Sequence, residues 1–288
     1  MKLPLLKKIT FVKKGSKPPQ LTSKKGKRQL VITIDKRQKF VIAVFILSTI
    51  LFASQYQFAR LGVVVSIIMA IVTNIFLYWA VKNDLKENFS WSVFLLPFFY
   101  SLSFSLFYFL IPARLLFRLI LTSLYAFGLY SLFLSQNIFI VSSIRTIALL
   151  SGARIVSFVI TLISYFFLTN TLFTLHLTLP PMLVLLGLYT FPLIMQSIWT
   201  YTLQKSVQSV TVWVAALTLC ILEAGVLLWF WPSNPTVTAL FLTGFFYTIV
   251  GLSHIWFDKR LFRGVLWEYV WVGVTVFFVL LLFTSWGK

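Results

Sequence analysis

Few residues in this chain can do chemistry, and most of them fall where a polar side chain is costly. Six acids stand among 288 residues, namely Asp35, Asp84, Glu87, Glu223, Asp258 and Glu268. Glu223 lies inside a long apolar run, where a charge costs about 2.5–3.5 kcal/mol if hydrocarbon surrounds it. Arg118 enters another apolar run from the same side, so an Arg118–Glu223 ion pair clamping two helices is the expected arrangement. A carboxylate coupled to proton or solute movement is the alternative, and a protonated Glu223 facing lipid is the third. A second group is His254, four residues before Asp258, with Glu268 four residues after Gly264. The short connection between their segments puts both about 6 Å deep from one side. A His254–Glu268 hydrogen bond is therefore a candidate, with Arg154 as another partner for Glu268. Snorkelling of these side chains to the interface is the simpler reading.

Other chemistries lack their residues. Two histidines and one cysteine, Cys220, offer no usual zinc spacing, so no metal is expected. The sequence contains no GxxxxGK[ST], HExxH or GxSxG motif. Asp84 and Glu87 flank Lys82 and Lys86, which reads as a solvated mixed-charge loop. No catalytic residue and no cofactor are predicted.

The elements that position these residues follow from composition. Hydrophobic residues make up 59% of the chain, charged residues 11%, and the mean hydropathy is +0.94. An ordinary soluble domain is about 25% charged, and a soluble fold could not hide this much apolar side chain. A bilayer removes the difficulty, because about 20 apolar residues in a helix cross its hydrocarbon core. The predicted fold is an all-α, polytopic bundle with spans at 40–58, 61–81, 91–111, 115–134, 153–170, 180–202, 209–231, 236–257 and 265–285. Residues 136–152 read as a weakly amphipathic helix, lying along the interface or extending the fifth span inward. Trp91, Trp229, Trp231, Trp256, Trp267 and Trp286 sit near span ends, where indoles favour headgroups. Pro97 and Pro192 should kink the third and sixth spans. Ser101, Ser103 and Ser105 read as hydrogen-bonding glue, and Gly244 and Gly251 as a close-packing face for a neighbouring helix.

Charge sets the orientation and the partners. Thirteen of the 25 Lys and Arg residues precede residue 40, against Asp35 alone. Residues 1–39 therefore form a basic, largely disordered tail, apart from a strand-like 29–34, and residues 40–288 form the transmembrane domain. The tail does not read as a cleavable signal peptide. With the tail in the cytoplasm, inner segments hold 21 basic residues and outer segments four, as the positive-inside rule favours. Lys24, Lys25, Lys27, Arg28, Lys36, Arg37 and Lys39 are then placed to meet anionic headgroups, at about 1 kcal/mol per residue. The partners expected are an anionic bilayer and other membrane proteins, not nucleic acid.

Several stretches carry a likeness. DKRQKFVIAVFILS follows the tail. LYAFGLYSLFLSQNIFIVSSIRTIALLSGARIVSFVITL covers 124–162. Glu223-Ala224-Gly225 leads through WFWPSNPTVTALFLTGFFYTIVGL to RLFRGVLWEYVWVGV. From about residue 35 to the end, the chain resembles an uncharacterised family of multi-span membrane proteins of small-genome, candidate-phylum bacteria. The resemblance implies a bacterial inner-membrane setting and supplies no activity or site residues. Three functions stay open on the sequence: a structural or assembly component of the cell envelope, a small-solute or proton-coupled transporter using Glu223 and Arg118, and a lipid-acting enzyme using Glu268, His254 and Arg154.

Overall fold

A backbone in hydrocarbon must satisfy its own N–H and C=O groups, and a helix does so within one segment. The computed structural model describes residues 36–57, 61–85, 90–111, 114–142, 149–202, 208–259 and 262–284. Among them lie nine helices, each long and apolar enough to cross a membrane: α1 (Lys36–Gln57), α2 (Gly62–Leu85), α3 (Ser92–Leu110), α4 (Leu115–Ser142), α5 (Leu150–Thr174), α6 (Leu179–Thr202), α7 (Gln208–Trp229), α8 (Pro235–Phe257) and α9 (Arg263–Leu282). The all-α multi-span fold expected from composition is the fold observed. Helix α1 begins at Lys36, so Lys36, Arg37 and Lys39 belong to the helical unit and not to the tail. The strand-like 29–34 and the rest of the tail lie outside the described residues.

Residues 136–152 fit the expectation only at their end, where 150–152 extend the fifth span. Through Ser142 they continue α4, and from Leu150 they belong to α5, while 143–148 lie outside the described residues. The physical reason is burial: Gln136, Phe139 and Ile140 face the bundle, not an interface. Helix α4 is thereby 28 residues long, about 42 Å, and exceeds the hydrocarbon thickness of about 30 Å. Helices α3 and α6 run without interruption through Pro97 and Pro192.

Consecutive helices run antiparallel, as short connections demand. Ser66 meets Ser105 and Thr73 meets Ser101 across α2 and α3. Gln196 approaches Ser157, and Tyr189 approaches Thr169, across α5 and α6. Helix α5 is central, packed against α3, α4, α6 and α8. On one flank α3 and α4 pack against it, with α1 on α4 and α2 on α3, and α7 to α9 extend the bundle on the other, with α9 packed against α8.

Hydrophobic burial does not discriminate between core and lipid here, so packing detail and polar contacts fix the arrangement. Aromatic rings fill the centre. Tyr100 and Tyr125 stack at 5.6 Å, and Phe167 stacks on Phe107 at 4.2 Å while meeting Phe104 edge-on at 4.8 Å. Ser101 and Ser105 of α3 are glue, as predicted, whereas Ser103 donates to the Tyr100 carbonyl of its own helix. Ser101 lies 2.7 Å from the Thr73 hydroxyl and 2.9 Å from that of Tyr125, and Ser66 donates to Ser105. Such bonds contribute on average about 0.6 kcal/mol each inside a membrane protein. Gly244 and Gly251 are also used as predicted. A methyl group at Gly244 would run into Val276, and one at Gly251 into the Tyr269 ring, so both let α9 approach α8 closely.

Candidate functional site at the ends of α5, α6 and α8

Five of the polar side chains in the bundle converge where α5 begins and α6 and α8 end. Arg154 stands in the first turns of α5. Its Nε donates to the Thr200 carbonyl at 3.0 Å and an Nη to the Tyr201 carbonyl at 3.3 Å. Those are among the last carbonyls of α6, which no later residue of that helix can bond. A guanidinium there satisfies two acceptors and neutralises the negative end of the helix dipole. The guanidinium also lies 4.6 Å over the Tyr201 ring and 3.5 Å from Asp258 Oδ1. Asp258 is the C-cap residue of α8, an unfavourable place for an anion unless a cation offsets it. One arginine of α5 thus holds the ends of two neighbouring helices.

His254 lies under this layer and is 4% exposed. Its Nε2 is 2.9 Å from Ser197 Oγ on α6. Its ring stacks on Tyr201 at 4.2 Å and meets Phe158 of α5 edge-on at 4.7 Å. On the far face of α8, the Trp213 indole of α7 donates to Ser253 Oγ at 3.1 Å.

A serine, a histidine and an aspartate therefore occur in one cluster, but the contacts run Ser197–His254 and Asp258–Arg154. An activated serine needs its base oriented by a third group, with the oxygen open to substrate. Here Asp258 binds Arg154, and Ser197 is only 3% exposed. The chemistry this arrangement performs is mechanical, tying α5, α6 and α8 together at one end.

Neither the Arg118–Glu223 ion pair nor the His254–Glu268 hydrogen bond drawn from the sequence is formed. Arg118 is buried on α4, which packs against α1, α2, α3 and α5. Glu223 is exposed on α7, which packs against α6 and α8, so the Arg118–Glu223 clamp is replaced by separate placements on opposite flanks. A similar expected depth does not make two helices neighbours. Glu268 is exposed on α9. Both proposed partners turn away from it, His254 to Ser197 and Arg154 to α6 and Asp258, because α5 and α6 cover the inner face of α8. Of the basic residues assigned to lipid headgroups, Lys36 and Arg37 are exposed, and Lys39 lies 5.2 Å over the Trp79 ring. Lys24, Lys25, Lys27 and Arg28 lie outside the described residues.

Sequence reasoning missed Ser197, Tyr201 and Asp258 as members of the cluster. The available signal was their spacing: Ser197 and Tyr201 are four apart on α6, and His254 and Asp258 four apart on α8, so each pair shares a helix face. It also missed a buried layer of amides. Gln136 of α4 and Gln196 of α6 are fully buried, and both amide atoms of Gln136, Oε1 of Gln196 and Nε1 of Trp199 make no hydrogen bond. No group of three or more His, Cys, Asp or Glu among the described residues is placed to hold a metal.

Comparison with curated proteins and with solved structures finds no match. Residues 60–283, from the start of α2 to the end of α9, match the family described as a protein of unknown function, DUF5656, so the chain belongs to that family of multi-span membrane proteins.

Proposed function

We propose that this protein is a non-catalytic structural or assembly component of the bacterial inner membrane, binding other membrane proteins along its flank. The observation that carries the reading is α9. Only Leu280 of that helix is buried, whereas Trp267, Trp271, Phe278 and Leu282 are exposed along its length, and the helix packs against α8. A helix held along one side offers the remainder to a partner, and in lipid such association rests on close packing, not on hydrophobicity. The Arg154 cluster supports the same reading, since its charged groups are engaged in holding helix ends. In this reading the basic residues of the tail, with Lys36, Arg37 and Lys39 at the start of α1, meet anionic cytoplasmic lipid.

The test is photo-crosslinking in native membranes from a diazirine amino acid placed at Trp271 or Phe278. The reading expects one recurring protein adduct from these positions and none from Phe45, an exposed residue of α1. Adducts with lipid alone at both α9 positions would discard it.

A second reading, a small-solute transporter, draws on the Gln136 amide and the Gln196 Oε1, which are buried without a hydrogen bond. A buried amide without a hydrogen bond is costly, by about 1–3 kcal/mol on mutational scales, and internal polar groups commonly mark solute paths in membrane proteins. Leucine at both positions would abolish uptake in that reading and leave the first untouched.

A further inference from the structure

At the end of the bundle opposite the Arg154 cluster, the connections α5–α6 and α7–α8 enclose a pocket of about 300 Å³. Its walls include Phe173, His176, Trp229, Trp231, Ser233 and Thr238. Indoles at span ends ordinarily lie loose among headgroups, but these two are fixed. Trp229 Nε1 donates to the Leu177 carbonyl at 3.1 Å, and Trp231 Nε1 to Thr284 Oγ1 at 2.8 Å. The rings thus serve as rigid walls. His176 is held in the left-handed region at φ 45°, a conformation that costs a non-glycine residue on the order of 1–3 kcal/mol and recurs at binding sites. The Ser233 and Thr238 hydroxyls lie 2.7 Å apart, and Thr238 donates to the Asn234 carbonyl at 3.3 Å. With those protons committed, the hydroxyl oxygens keep lone pairs for a donor. Among the described residues, no Lys, Arg, Asp or Glu lines the pocket.

Beside it runs an apolar groove of about 490 Å³ between α2, α3, α5 and α6, lined by Val64, Leu102, Leu106, Leu168, Leu185 and Leu188 among others. Leu172 lines both the groove and the pocket. The groove lies along segments long and apolar enough to span a membrane, and its lining is almost wholly apolar.

We infer that the pocket and groove together bind one lipid, whose uncharged, hydroxyl-rich headgroup enters the pocket and whose acyl chain lies in the groove. A sugar ring suits the pocket best: its hydroxyls donate to Ser233 and Thr238, and its C–H face packs on an indole. Both volumes fall in the range of roughly 300–1,000 Å³ typical of ligand sites. The site is at the other end of the molecule from the helix clamp, and the inference does not rest on the assembly role.

The experiment uses the purified full chain in detergent, with native mass spectrometry and thermal unfolding as readouts. The probes are monoglucosyl diacylglycerol, diacylglycerol, phosphatidylglycerol and water-soluble methyl glucoside. The glucolipid should persist as a 1:1 adduct and raise Tm by several degrees, with at least a five-fold preference over diacylglycerol and phosphatidylglycerol. Ser233→Ala with Thr238→Val should erase that preference, and Val64→Trp, which fills the groove from an exposed position, should weaken every lipid alike. Equal retention of the three lipids, or preference for the anionic one, would overturn the headgroup assignment. Binding of methyl glucoside as tight as that of the glucolipid would overturn the role of the groove. Because these comparisons use the unaltered chain, they stand even if a variant does not fold.

Discussion

Arginine 154 shows how a costly side chain becomes useful at the scale of one residue. At the first turns of its own helix a cation gains nothing from the dipole, yet it reaches the carboxyl ends of α6 and α8, where a cation is favoured. Hydrogen bonds from a charged donor contribute about 1.5–3 kcal/mol each when buried, whereas the long, part-exposed contact to Asp258 contributes less than about 1 kcal/mol. Arg154→Ala should therefore lower unfolding stability in detergent by about 2–4 kcal/mol, Arg154→Lys by less, and Asp258→Asn hardly at all. Thermal or denaturant unfolding of the three variants checks the order. A cost for Asp258→Asn equal to that for Arg154→Ala would show the carboxylate, and not the α6 carbonyls, to be the partner that matters. Glu223 and Glu268 give the contrasting case. Both are exposed in the bundle, so each relies on the interface, protonation or a partner outside this chain.

At the scale of the element, the α8–α9 contact is the most testable. Gly244 and Gly251 lie seven residues apart, on one face of α8, and each admits a bulky side chain of α9. The closeness of two helices in lipid depends on such small residues, because apolar area alone gives no preference for protein over lipid. Gly251→Val should force Tyr269 aside, at a cost of about 1–3 kcal/mol, and loosen α9 along its length. A disulfide reporter measures this. A Cβ at Gly273 would lie 3.7 Å from the Thr248 hydroxyl oxygen, so Thr248→Cys with Gly273→Cys, in a Cys220→Ser background, should cross-link readily. Adding Gly251→Val should slow the reaction several-fold, and an unchanged rate would mean that α9 is held by something other than this face. Helix α3 is held differently, by the Thr73–Ser101–Tyr125 hydroxyl chain and the ring stack of Tyr100 on Tyr125.

For the molecule as a whole, alternation of direction makes sidedness a single question. His176 follows α5 and Lys259 follows α8, and those helices pack antiparallel, with Phe158 against His254 at one end and Tyr165 against Phe246 further along. The two residues therefore mark opposite faces of the membrane. From the distribution of Lys and Arg, we propose that Lys259 faces the cytoplasm. In a Cys220→Ser background, His176→Cys should react with an impermeant maleimide on intact cells and Lys259→Cys only after lysis. The reverse pattern would invert the orientation and place the Trp229–Trp231 pocket inside.

The sequence alone determined how many segments are long and apolar enough to cross, where most of them begin and end, and that Ser101, Ser105, Gly244 and Gly251 join helices. Hydropathy, backbone self-sufficiency and the roughly 20-residue span length act locally and leave a linear record. It also marked Arg154 and His254 as candidates, because ionisable residues are rare in apolar runs. Only the tertiary structure decided which helices are neighbours, and hence that His254 faces Ser197 and not Glu268, that Arg154 reaches α6, and that Arg118 and Glu223 lie on different flanks. The reason is that lipid tails are as apolar as leucine. Apolar side chains stand on core-facing and lipid-facing sides alike, and the choice of neighbour is made by shape and polar contacts when the helices meet.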